Sequence, residues 1–123
     1  MQSNFAVQTY ITERAITLAL SGELDLVSSP ALERAMEDQA QSDLELIVID
    51  MRRLEFMDST GLHTVLRIQQ AAHDAGRRFA LIRGPDQVQR LFDLTGLAET
   101  LTIVDSPDQL LEGWAPPEPT VMP

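Results

Sequence analysis

Asp58-Ser59-Thr60-Gly61 sets a carboxylate, two hydroxyls and a glycine in consecutive positions, directly before a stretch with helical spacing. A hydroxyl at such a place can cap free N–H groups, act as a nucleophile, bind a phosphate or receive one. The nucleophile reading invites comparison with the elbow G-x-S-x-G, but Met57 stands where the first glycine belongs. His63 lies four residues after Ser59 and shares its helix face, whereas a triad draws its base from a distant segment. His73, the other histidine, sits further along the same helix, and two such histidines without any cysteine make a poor metal site. Glu23 and Asp25, two apart in an extended segment, read as an acid–base pair or as plain surface charges. Neither G-x-x-x-x-G-K-[ST] nor G-x-G-x-x-G occurs, so a nucleotide loop and a nucleotide cofactor are not supported. What remains is a serine at the positive end of a helix, where an anion is tolerated. Ser59 can carry a phosphate without unfolding its own helix. In the plainer alternative, Asp58 or Ser59 only caps and Gly61 only relieves crowding.

The whole chain limits what surrounds this cluster. With 123 residues there is room for one domain with a real core. Nine basic residues against nineteen acidic ones give a net charge of −10, which repels a phosphodiester backbone and argues against direct nucleic-acid binding. Arg52-Arg53 and Arg77-Arg78 then read as solvated loop and strand-edge residues. No apolar stretch approaches the ~20 residues needed to span a bilayer. The first residues lack a basic region followed by an apolar segment, and cysteine is absent, so a cytoplasmic protein is expected.

The cluster must be positioned by the elements around it. "FAVQTYIT" and "AITLALSG" are β-rich runs joined through Glu13-Arg14 and predict a hairpin. Ser29-Pro30 signals a helix start, and Leu32, Ala35, Met36 and Ala40 supply its apolar face. "LELIVID" predicts a strand over 44–50, buried on both faces, followed by a loop carrying Leu54 and Phe56. A helix over 59–75 is stopped by Gly76; "RFALIRG" is a strand; a helix begins near Pro85 and ends at Gly96. "TLTIV" is a last short strand, and "DQLLEGW" a terminal helix. Residues 115–123 read as a disordered proline-rich tail, leaving 1–114 as the domain. The order predicts an α/β domain with a mixed, mostly parallel sheet, an N-terminal hairpin and packed helices. Loops leaving the C-terminal ends of its parallel strands gather at one edge, bringing Ser59 beside Glu23, Asp25 and Arg83.

"VIDMRRLEFMDSTGL" resembles the central segment of bacterial anti-sigma factor antagonists of the STAS domain family, where a strand ending in Asp leads to a D-S-[ST]-G helix start. "SGELDLVSSPALERAM" is similar to the family's G-E-L-D segment and first helix. "LIRGPDQVQRLFDLTGLAETLTIV" is similar to its last strand-helix-strand unit. The resemblance implies a monomeric binding module rather than an enzyme. Ser59 would be phosphorylated by an anti-sigma factor that is itself a serine kinase and holds the ATP, and a serine phosphatase would restore it. The unphosphorylated form would bind the anti-sigma factor and free a sigma factor. Asp58, Thr60 and Gly61, with Glu23 and Asp25 on the adjoining loop, would form the partner-binding surface. Arg52 and Arg53 replace small polar residues of the family and could alter partner choice or attract the phosphate. Family members without kinase partners, acting as scaffolds or as parts of transport systems, are the alternative.

Overall fold

The computed structural model describes residues 4–39 and 43–111. The first two runs form β1 (Ala6–Thr12) and β2 (Ala15–Leu24), paired antiparallel from Ala6 opposite Ser21 to Thr12 opposite Ala15. Their two-residue link puts Glu13 at φ 50°, the left-handed conformation that suits the twist of a tight hairpin. Arg14 ties the turn to the start of the next strand through Asp43, at 3.3 Å, and Glu45. There follow α1 (Ser29–Glu37), β3 (Leu46–Met57), α2 (Ser59–Asp74), β4 (Arg78–Ile82) and α3 (Asp86–Leu94). A 3₁₀ turn at Leu97–Glu99, β5 (Ile103–Val104) and α4 (Asp108–Leu111) complete the described chain. The sheet runs β1-β2-β3-β4-β5, and only the β1–β2 pair is antiparallel. This is the mixed, mostly parallel α/β architecture expected from the alternation of strand and helix signals. The tail at 115–123, Ala40 and the end of the expected terminal helix lie outside the described residues.

One element departs from expectation in a way that matters for the site. The segment expected to be a loop after Asp50 is strand: β3 continues to Met57. Parallel pairing with β2 persists to Leu24 opposite Met57, but the register slips between Ala19 and Ser21 and again between Gly22 and Glu23. At each slip β3 carries one extra residue, so its core-facing side chains fall at Met51, Leu54 and Met57, all buried. Spacing by three erases the period of two that marks a strand, which is why the sequence reads as irregular there. The start of α1 also shifts by one: Ser28, not Ser29, is the N-cap, and Pro30 occupies the first turn.

Side-chain alternation divides the sheet into two faces. On one, Ile16, Leu18, Leu20, Ile47, Ile49 and Leu81 meet Leu32, Leu62, Val65, Ile68, Val88 and Phe92 of α1, α2 and α3. On the other, among the described residues, Val48, Ala80, Ile82 and Val104 meet Leu110 of α4, with half-buried Leu46 beside them. Each fully buried Leu, Ile or Phe contributes about 1.5–3 kcal/mol relative to exposure, so the first face carries most of the stability.

Candidate functional site: the rim at the ends of β2 and β3

The last pair of the β2–β3 ladder feeds two turns that meet. From Leu24 the chain enters the β2–α1 loop; from Met57 it enters α2 through Asp58, whose N–H donates to the Leu24 carbonyl at 3.2 Å. Asp58 is the N-cap of α2, with extended backbone, and its Oδ1 accepts the Gly61 N–H at 2.9 Å. Gly61 is buried, and a Cβ built on it would lie 2.5 Å from the Leu24 carbonyl oxygen, so the first turn of α2 packs against the end of β2 only because that side chain is missing. Thr60 is half-buried; its carbonyl accepts the hydroxyl of buried Thr64 at 3.1 Å. Ser59 begins α2 and is exposed. Of the four residues, Asp58 and Gly61 do the structural work, and the serine is presented to solvent.

The adjoining loop is braced from inside. Asp25 Oδ1 accepts the N–H groups of Val27 and Ser28, each at 3.1 Å, and the Ser28 hydroxyl. The one proton of that hydroxyl is shared between Asp25 Oδ1 and the nearer Glu23 carbonyl, at 2.7 Å, while its oxygen accepts the Asp25 N–H at 2.9 Å. Asp25 is therefore a loop-shaping residue, with one carboxylate oxygen committed inward, while the Glu23 side chain is exposed. The braced turn holds Leu26 and Val27 outward, 70% and 73% exposed. Phe56, opposite Glu23 in the ladder, is 47% exposed. Glu23 and Asp25 were expected at this rim, whereas the apolar pair that follows them was not. The available signal was two large apolar residues placed between an aspartate and two serines, where a turn needs polar side chains.

Arg83 does not join this group. β4 ends with Ile82 opposite Asp50, seven residues short of Met57, and Arg83 Nε donates to Asp105 at 2.9 Å, beyond β4 on the side away from β3. The first turn of α3 does approach the rim lower down, where Gln87 Nε2 donates to the Glu55 carbonyl at 3.1 Å. Nor is Arg52 available to a phosphate on Ser59. Its Nε and one terminal nitrogen grip the two Asp50 oxygens at 3.0 and 2.7 Å, along the same strand. Burial alone would raise the Asp50 carboxyl, but the Arg52 bonds outweigh it and hold the group below the ordinary carboxylate range. His63 and His73 are exposed on α2, as solvent-facing positions should be, and no cluster that could hold a metal occurs among the described residues.

A serine presented at a capped helix start, on a strand-to-helix rim of a mixed five-stranded sheet, defines a class before it defines a partner. Residues 6–110 match the STAS domain model, and the chain belongs to that family. It is 33% identical over 92 residues to an anti-sigma F factor antagonist of Paenibacillus polymyxa, covering 74% of this chain and 79% of that one. It is 25% identical over 100 residues to an anti-sigma-B factor antagonist of Staphylococcus aureus, covering 81% and 93%. Among solved structures, an anti-sigma factor antagonist from Mycobacterium paratuberculosis superposes with a TM-score of 0.74 at 26% identity, over 88% of this chain and 92% of that one.

Proposed function

We propose that this STAS domain is an anti-sigma factor antagonist switched by phosphorylation of Ser59. In its unphosphorylated form it binds an anti-sigma factor that is a serine kinase, and a sigma factor is released. The kinase holds ATP; the Ser59 Oγ attacks the γ-phosphorus, ADP leaves, and the hydroxyl proton passes to a base on the kinase. Hydrolysis of the serine–phosphate ester by a phosphatase restores the hydroxyl. The domain itself acts as a monomeric cytoplasmic substrate and binding module, with no catalysis of its own.

The observation that carries this reading is the division of labour in the first turn of α2. Because the Asp58 carboxylate already satisfies the Gly61 N–H, the Ser59 hydroxyl can be esterified without removing the cap. A phosphate at that place also lies near the positive end of the helix, which offsets its cost to the fold. Its cost to a contact is another matter. About −1.5 to −2 charges arrive in the middle of a rim already carrying Glu23 and Asp58. A penalty of ~3–5 kcal/mol weakens binding by roughly two to three and a half orders of magnitude with no refolding. Glu23, Asp58 and Thr60 form the partner-binding surface around the switch, Asp25 and the buried Gly61 shape it from beneath, and Leu26 and Val27 supply its apolar anchor. Incubation with the cognate anti-sigma factor and ATP, followed by mapping of the phosphate by mass spectrometry, tests the reading. Phosphate on Ser59 and loss of the complex are expected; a stable complex after stoichiometric phosphorylation would refute it.

A further inference from the structure

The sheet ends in two unlike edges. At one, β5 offers two residues; at the other, β1 runs for seven, and among the described residues no strand pairs with its outer side. Edge strands are normally blunted by a charge, a proline, a bulge or shortness. β1 has none of these. "AVQTYIT" carries no charged residue and no proline, its register with β2 is unbroken, and Tyr10 and Ile11 are more than half exposed.

Which main-chain groups face outward follows from the hairpin. The Arg14 carbonyl accepts the Glu45 N–H at 2.7 Å, so Arg14 points its main chain toward β3 and Ala15 points toward β1. Thr12, opposite Ala15, therefore bonds inward, as do Tyr10 and Gln8 by alternation, while Val7, Thr9 and Ile11 turn N–H and C=O outward. That set is symmetric about Thr9. We propose that β1 pairs antiparallel with β1 of a second copy, about a twofold axis at Thr9, to join the two sheets into one. Thr9 then faces Thr9, Val7 faces Ile11, and each facing pair can exchange two main-chain hydrogen bonds. Within β1, no other register engages all three outward residues of both copies. This one also sets no like charges opposite one another: Gln8 meets Tyr10, Ala6 meets Thr12, and Glu13 meets Phe5. The two-residue β5 is too short to compete, so the contact closes on itself rather than running on into a filament. A single strand makes a small contact and each copy carries a net charge of −10, so pairing needs concentration and tightens with salt. The axis sends the two rims to opposite ends of the joined sheet. Each Ser59 therefore still meets its partner singly.

The chain has no cysteine, so Thr9→Cys introduces one thiol, at the axis. Facing Cα atoms of a hydrogen-bonded antiparallel pair stand ~5.5 Å apart, within disulfide reach. Under a mild copper oxidant this variant is expected to cross-link at least tenfold faster than Thr12→Cys, whose copies lie far apart along the strands. Thr9→Pro removes only an outward N–H, which an edge strand tolerates, so circular dichroism should be kept. Sedimentation equilibrium from about 1 to about 200 μM should show the parent's dimer lost in that variant. Should Thr9→Pro fail to fold, Thr9→Lys serves instead, since it sets like charges face to face on the axis. Equal cross-linking at positions 9 and 12, or a parent chain that stays monomeric over that range in ~0.5 M salt, would overturn the proposal. So would a dimer that survives both Thr9→Pro and Thr9→Lys, because the contact then lies elsewhere. Exchange-protected Val7, Thr9 and Ile11 amides in a monomer would assign the edge to another part of the chain and equally overturn it.

Discussion

Gly61 and Leu24 approach so closely that a single methyl group on the glycine would stand 2.5 Å from the leucine carbonyl oxygen and 2.9 Å from its side chain. Backbone cannot yield as a flexible side chain can. Gly61→Ala is therefore expected to destabilise the fold by about 1–3 kcal/mol and to displace the first turn of α2. Urea unfolding measures the first effect, and amide shifts of residues 58–62 the second. An alanine variant as stable as the parent, with unmoved shifts, would mean that the two segments do not pack as described.

Ser59→Ala removes an exposed hydroxyl from a turn whose cap is supplied by Asp58. Its stability should stay within about 0.5 kcal/mol of the parent, whereas Asp58→Ala should lose ~0.5–2 kcal/mol with the cap. Ser59→Ala should bind the anti-sigma factor and ignore ATP. Ser59→Asp brings one charge on a shorter side chain and should weaken binding only in part compared with the phosphorylated parent. Calorimetric titration of the cognate anti-sigma factor, with and without ATP, separates these outcomes.

Leu26 and Val27 lie outside the core, so replacing both with serine should leave thermal stability nearly unchanged. Loss of two apolar anchors from a desolvated contact should cost partner affinity at least tenfold, about 1.4 kcal/mol or more. Unaltered affinity in the double variant would remove this pair from the proposed surface without touching the role of Ser59.

The Asp50–Arg52 pair predicts a pH dependence with a definite sign. Because the folded state holds the Asp50 carboxyl below its usual range, the unfolded chain takes up the proton first on acidification. The pair's stabilisation is complete above the unfolded value of ~3.9 and drains away as pH falls through the lower folded value. Arg52→Ala should cost ~1 kcal/mol at neutral pH, since the guanidinium is half exposed and screened. That difference should shrink below pH ~4. Urea unfolding of both proteins from pH 7 to 3 checks it; a gap independent of pH would contradict the pairing.

Most of the architecture was legible in residue patterns because each element obeyed its own period. The hairpin, the mixed sheet, α2 and the stops at Gly76 and Gly96, both with positive φ, followed from local signals. The second half of β3 did not, since its two extra residues hide a strand behind an apolar spacing of three. The cluster at residues 58–61 could be located, but its roles could not be divided. Only the hydrogen bond from Gly61 to Asp58 shows which residue caps. Arg83 was misplaced because loop adjacency was inferred from topology alone, while strand length decides how far along the edge each loop sits. The engagement of Asp25 within its own loop depends on a backbone turn that residue types do not fix.

The two extra residues of β3 also set an arithmetic of parity. One insertion turns every later side chain to the opposite face, and a second turns them back. Met51 and Met57, six positions apart, accordingly both face the core. A chain shortened by one residue between them would keep its strand and lose its phase, carrying Met57 into water and aiming the start of α2 away from Leu24. Shortened by two, it would regain the phase and bring Ser59 nearer the level at which β4 ends. Length changes in this stretch are therefore tolerable in pairs and ruinous singly, so the position of Ser59 along the sheet edge can move only in steps of two residues.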